Sequence, residues 1–338
     1  MKKTKCSNYK AHPHKKRIDY LYENYCSDKT ITINDFIIQV NKAYYMYAAG
    51  EYKITTNDKI INNYKDFFKN IPSGYDIFDI GGGTGFPYFC IKDDINYKYN
   101  QYHIIEPSKY MSKDLPSSDD KLIILNKDVS LCWETLEKNT KKVILMNATL
   151  HHIIYLDTFF EKIRSVMNDG DYFFFAQEPN NGWYNSILFW ADSVIEVKKT
   201  TRRVLVNLCE KLGLKSYLKN KFTKKNTTNI KPTGLEASLQ ELRKQNIVNT
   251  SFTKDLIYSI TDYGVFTNWR YISIPDEYNE GFYESSFISK SLGMNPIYIN
   301  THRPLLISYT KGIRGMLSKI LQKMFPEKCY MFSLGYRK

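Results

Sequence analysis

The stretch Asp79–Gly85, reading DIGGGTG, constrains this chain more than any other. An apolar run, Tyr75-Asp76-Ile77-Phe78-Asp79-Ile80, breaks into three glycines at alternate positions, Gly81, Gly83 and Gly85. Such a run bounded by glycine reads as a buried strand turning tightly into a helix. Glycine is needed where φ is positive or where a ligand lies on bare backbone. The helix behind the turn presents unpaired N–H groups and a partly positive end to whatever sits there.

From Tyr75 onward, short apolar runs alternate with helical segments. Strands are expected at Tyr75–Ile80, Tyr102–Glu106, Lys121–Lys127, Lys142–Asn147 and Tyr172–Ala176, with a helix from Leu156 to Met167. Strands buried on both faces and joined by helices mean a parallel α/β sheet. Upstream, Asn34 is placed as the cap of a helix ending at Gly50. A second helix, Thr56–Asn70, carries Ile60, Ile61, Tyr64, Phe67 and Phe68 at helical spacing, which reads as core. Residues 180–285 are aromatic and basic, with helical patterns at 183–197, 201–213 and 235–245 and a lysine-rich stretch at 215–234. A helix resumes at 282–293, followed by short strands at Pro296–Asn300 and Pro304–Tyr309 and an amphipathic stretch at 312–332. The expected division is a helical N-terminal cap at 1–70, a core at 71–180 and 285–310, a helical insert at 181–284 and an amphipathic C-terminal tail at 311–338.

At 338 residues and 43% hydrophobic, the chain is long and apolar enough for a sizeable core. Its net charge of +13 favours anionic partners, nucleic acid and anionic membrane surfaces among them. The six cysteines are scattered, with no CxxC, which excludes a zinc ribbon and reads as free thiols in a reducing cytoplasm. No apolar segment is long enough for a signal peptide or a membrane span.

Two cofactor chemistries compete for the glycine loop. A dinucleotide fingerprint wants G-x-G-x-x-G, whereas here Gly81, Gly83 and Gly85 alternate and Phe86 comes next. Asp79 stands two residues before the first glycine, where a carboxylate repels a diphosphate and accepts from an ammonium. Further polar residues end the next strands. Glu106 is placed to take both hydroxyls of a ribose, Asp128 to accept from an exocyclic adenine amine, and Asn147 to stand beside the crevice where open α/β sheets bind ligands.

This arrangement resembles the class I S-adenosylmethionine-dependent methyltransferases. DIGGGTG is similar to the first motif of that family, HIIEPSKYM to the second, and LNKDV to the segment whose acid and next residue flank the adenine. VILMNATLHHI resembles the fourth strand and its exit, NDGDYFFFAQEPN the fifth, and the stretch from FISKSLG to ISYTKG the last helix and final antiparallel pair. The resemblance implies a seven-stranded Rossmann-like sheet, mostly parallel with an antiparallel last strand, and a helical insert between strands five and six. It implies S-adenosylmethionine as cofactor and S-adenosylhomocysteine as product, held by Asp79, Gly81, Gly83, Gly85, Glu106, Pro107, Asp128, Val129 and Asn147. Two departures stand out: Lys141-Lys142 precedes strand four where the family carries an acid, and the insert matches no substrate domain of the family.

Methyl transfer needs a positioned nucleophile and often a base for its proton. His151, ahead of His152, and Glu178 are the candidates, with a helix cap before Pro179 as the alternative role for Glu178. No metal is expected. Trp183, Tyr184, Trp190, Trp269 and Tyr271 are candidate pocket residues of the insert. The expected activity is methylation of an O or N atom of a small or medium-sized molecule, a secondary metabolite, sugar or lipid. An RNA or protein methyltransferase using the basic surface and a non-catalytic binding module are the alternatives, with nucleic acid and anionic membranes ranked below a small molecule as partners.

Overall fold

A computed structural model of the chain describes residues 15–47, 58–92, 97–137, 139–150, 153, 156–179, 234–261, 285–302, 320–325 and 331–338. The helices and strands are α1 (Lys15–Tyr25), α2 (Ile33–Tyr47), α3 (Asp58–Phe68), β1 (Asp76–Ile80), α4 (Phe86–Ile91), β2 (Tyr102–Ile105), α5 (Lys109–Ser112), β3 (Leu122–Leu125), α6 (Trp133–Leu136), β4 (Lys142–Asn147), α7 (Leu156–Val166), β5 (Tyr172–Pro179), α8 (Gly234–Lys244), α9 (Lys254–Thr261), α10 (Ser285–Leu292), β6 (Pro296–His302) and β7 (Met331–Arg337). Chain contacts separate two compact units, one of residues 1–179, 233–300 and 332–338, the other of 180–232 and 301–331.

The first unit holds the sheet, in the order β3-β2-β1-β4-β5-β7-β6. β1 pairs in parallel with β2 and β4, β2 with β3, and β4 with β5. β7 runs the other way. Its end, Lys338, exchanges backbone bonds with Gly170 and Asp171 at the start of β5. The expected seven-stranded, mostly parallel sheet with a reversed last strand is therefore present.

Alternation along the strands builds a core on each face. Phe78, Ile80, Ile144, Met146, Phe173 and Phe175 pack with α7 and α10 on one side. Ile77, Ile104, Val143, Leu145 and Phe174 pack with α3 and α4 on the other. Phe67 of α3 stacks on Phe174 at 4.2 Å between ring centroids. A third core joins α1 and α2 with α8 and α9, so helices from the stretch expected as an insert pack with the N-terminal ones.

Three details differ from the sequence reading. Thr32 caps α2 in place of Asn34: its hydroxyl accepts from the N–H of Asp35, whose carboxylate accepts from the N–H of Thr32. Such reciprocal capping satisfies N–H groups that have no partner inside the helix. The partner expected for β6, Pro304–Tyr309, lies outside the described residues, and the strand beside β6 is β7, drawn from the stretch read as an amphipathic tail. Lys142, expected as the first residue of strand four and otherwise notable only as a basic departure from the family pattern, is fully buried there. Among the described residues no helix is long and apolar enough to cross a membrane, and Cys26, Cys90 and Cys132 are free thiols.

Candidate functional site

The carboxyl ends of β1, β2, β4 and β5 lie side by side, and the loops leaving β1, β2 and β4 are tied to their neighbours. Asp79 lies within β1 and is wholly buried. Its Oδ2 accepts from the Tyr102 hydroxyl at 3.0 Å, while its Oδ1 has no hydrogen-bond partner. Burial pushes the carboxyl up to about 8; the Tyr102 bond pulls it down and the charge of Glu106 pushes it further up. A buried oxygen without a donor is costly unless a ligand supplies one.

The three alternate glycines adopt the left-handed backbone that the sequence spacing suggested, with φ of 67° at Gly81, 54° at Gly83 and 75° at Gly85. Close approach also demands glycine at two of them. A Cβ on Gly81 would meet Thr149 Cγ2 at 2.3 Å, and one on Gly85 would meet Leu115 Cδ2 at 2.3 Å. The loop is therefore bare backbone packed against side chains from two other strand exits.

Glu106 follows β2 and bridges two loops. Its Oε2 accepts from the N–H of Gly83 at 3.0 Å and its Oε1 from the N–H of Ser108 at 2.8 Å. Burial pushes this carboxyl up to about 7, against the pull of those two N–H bonds. A carboxylate has about four acceptor positions, so two remain for hydroxyl donors. The Ser108 hydroxyl donates to the Tyr45 carbonyl at 3.0 Å, which ties α2 to this exit. Among the described residues no lysine or arginine forms an ion pair with Asp79 or Glu106.

The apo protein carries a measurable consequence. Both carboxyls titrate above their unfolded values, so the proton stabilises the fold at low pH, and that contribution is lost as pH rises through about 7 and 8. The thermal midpoint of ligand-free protein is expected to fall between pH 5 and 8.5, and an Asp79→Asn variant to show a flatter profile. Equal slopes would contradict the burial argument.

The remaining expected residues divide. Asp128 is exposed and accepts from the N–H of Ser130 at 2.9 Å, starting a short 3-10 turn, with Val129 half-buried behind it. Pro107 is exposed. Asn126, which sequence reasoning passed over, ties β3 to β2 by donating to the Glu106 carbonyl and the Ser112 hydroxyl. Asn147 is buried, and its Oδ1 accepts from both the Tyr64 hydroxyl and Gln177 Nε2, each at 2.7 Å. Tyr64 was legible only as a core position and Gln177 not at all, because both act across distant segments.

The segment after Pro179 that Glu178 is read as capping lies outside the described residues. Glu178 Oε1 accepts from the N–H groups of Thr149 and Leu150, each at 2.9 Å, and so shapes the exit of β4. Thr149 in turn donates to the carbonyls of Gly81 and Asn147. Ala148, the first residue after β4, and Gln177, within the adjacent β5, have φ of 50° and 61°, left-handed values uncommon for residues with a side chain. Strain of this kind gathers where a site must hold a fixed geometry. His151, His152, Trp183, Tyr184, Trp190, Trp269, Tyr271 and the lysine-rich residues 215–233 lie outside the described residues. Among the described residues no group of His, Cys, Asp and Glu is placed to hold a metal ion.

No family model and no curated protein sequence matches the chain. Solved structures do. A mycolic acid cyclopropane synthase aligns over 90% of this chain and 99% of its own at 10% identity and a TM-score of 0.40. A SAM-dependent methyltransferase from Archaeoglobus fulgidus aligns over 84% and 95% at 10% identity and 0.39. DhpI, in its complex with SAM and HEP, aligns over 43% and 67% at 15% identity and 0.33. The chain's own strand order, with β7 returning between β5 and β6, and the left-handed glycine loop leaving β1 make this a seven-stranded Rossmann-like sheet, mostly parallel with a reversed last strand.

Proposed function

We propose that the chain is an S-adenosylmethionine-dependent methyltransferase acting on an O or N atom of a small or medium-sized molecule. The observation that carries this reading is the pair of buried carboxylates, Asp79 with an unsatisfied oxygen and Glu106 with spare acceptor positions, flanking a bare glycine loop. Such a pair suits a ligand with an ammonium at one end and a ribose diol in the middle, and it suits a diphosphate poorly. The bound cofactor supplies a methyl group on a sulfonium, open to in-line attack.

The chain's own residues hold and orient. Glu106, fixed by Gly83 and Ser108, offers its remaining lone pairs to the diol. Asp79 offers Oδ1 to the ammonium, and the glycines let the backbone come close. Glu178 is engaged with the β4 exit, which favours a holding role for it and leaves His151 as the candidate for taking a proton from the acceptor. Dry, preorganised surroundings of this kind strengthen each of these contacts.

Isothermal titration of purified protein with S-adenosylhomocysteine tests the reading. Binding is expected, and Glu106→Ala is expected to weaken it by about 1–3 kcal/mol, the worth of bonds to a charged group. Absence of binding to the wild-type protein would remove the cofactor assignment, and unchanged affinity in the variant would remove the ribose assignment.

A further inference from the structure

We propose that Asn147 presents its side-chain N–H2 to the carboxylate of the cofactor's aminocarboxypropyl group, and that Tyr64 and Gln177 are the positioning residues that turn it that way. The inference rests on the S-adenosylmethionine reading above and names which residue reads which end of the ligand.

Three observations carry it. First, Asn147 is 8% exposed, and two donors, Tyr64 Oη and Gln177 Nε2, both point at its Oδ1. An amide whose oxygen is doubly occupied has one orientation, and its two N–H groups then face away from the donors. Among the described residues nothing accepts from them. Second, strand register places this amide beside the glycine loop. Ile80 of β1 pairs with Met146 of β4, so the next residues, Gly81 and Asn147, run side by side. Thr149 donates to the carbonyls of both. An ammonium at Asp79 Oδ1 therefore has its neighbouring carboxylate within the span between β1 and β4. Third, the amide sits between two left-handed residues, Ala148 and Gln177. Gln177 reaches Asn147 from the adjacent strand, whose Ala176 is the register partner of Asn147. A strained backbone retained on both neighbours fits an amide whose direction matters.

Tyr64 belongs to α3, before the sheet begins, and is completely buried with its ring edge-on to Phe86 and Phe174. Its hydroxyl reaches the end of β4 because α3 packs across the face of the sheet that carries Phe174. Tyr64→Phe keeps that packing and removes one of the two donors.

The test is titration of wild-type, Tyr64→Phe and Asn147→Asp proteins with two ligands, S-adenosylhomocysteine and its decarboxylated aminopropyl analogue. The wild-type protein is expected to prefer the carboxylate-bearing ligand by about tenfold or more, the ratio that a charge-assisted bond supports. Tyr64→Phe is expected to cut that preference to about threefold or less while leaving the analogue's own affinity nearly unchanged. Asn147→Asp, with oxygen in place of the amide nitrogen, is expected to reverse the preference through like-charge repulsion. A merely structural role for Tyr64 would weaken both ligands alike, and an equal preference in wild type and Tyr64→Phe overturns the proposal even if both bind well. If the wild-type protein binds neither ligand, the cofactor reading falls and the proposal with it.

Discussion

Removal of residues 331–338 is expected to abolish cooperative folding of the sheet unit. β7 is an interior strand, between β5 and β6. Its Phe332, Leu334 and Tyr336 are each no more than 1% exposed and pack in the core with Phe173, Phe175, Ile288 and Leu292. On the other face Gly335 leaves room for the Phe67 ring, which a Cβ would meet at 2.4 Å. Fully burying one such side chain contributes about 1.5–3 kcal/mol, so three of them rival the whole stability of an ordinary domain, about 5–15 kcal/mol. The deletion also removes the neighbour that β6 has among the described strands. The expected result is loss of the near-ultraviolet circular dichroism signal and of a sharp melting transition. As a graded companion, Tyr336→Ala is expected to cost about 3–5 kcal/mol in denaturant titration. A truncated chain that still melts cooperatively within a few degrees of the full one would show that β7 is dispensable.

Asp171→Ala is expected to be nearly as damaging, at the opposite end of the strands from the site. Lys142 and Asp171 form an ion pair at 3.1 Å with both side chains no more than 1% exposed. Lys142 Nζ also donates to the Val166 carbonyl, and Asp171 accepts from the backbone N–H groups of Lys142 and Asn168. Taking out one partner leaves a buried, uncompensated ammonium, at a loss of about 3–5 kcal/mol. Replacing both, as Lys142→Met with Asp171→Leu, is expected to recover most of the pair's share, because the desolvation of two charges disappears with their attraction. What the double variant still lacks is the pair of backbone bonds to Asp171. Urea titration of the single and double variants separates these contributions; a single variant within about 0.5 kcal/mol of wild type, the range of ordinary surface changes, would contradict the account.

Much of this molecule was readable along the chain because its signals are local. Five apolar runs with turn residues between them specified the parallel strands, and the alternate glycines specified a left-handed turn, since few other residues tolerate that backbone. Asp79 and Glu106 announced themselves by standing at strand ends. Other features needed two segments to meet. Helical spacing told that Tyr64 was buried, but the partner of its hydroxyl, Asn147, lies 83 residues away. Glu178 read as a candidate base or a cap for the segment after Pro179, and its hold on Thr149 and Leu150 was not legible because that loop lies 29 and 28 residues before it in sequence. Lys142 read only as a departure from the family pattern because the buried carboxylate that compensates it is 29 residues on.

The last strand shows where that boundary runs. Phe332, Leu334 and Tyr336 alternate as a half-buried strand should, yet a helical stripe just before them drew the whole tail into one amphipathic reading. Backbone stiffness, glycine's freedom and side-chain periodicity act over a few residues, and they settled the strand-turn-helix unit and the kind of ligand it suits. Strand order, the burial of a charge and the direction of the Asn147 amide depend on groups far apart in sequence. They were settled when the chain closed on itself, by the requirement that each buried polar atom find a partner and each apolar face a cover.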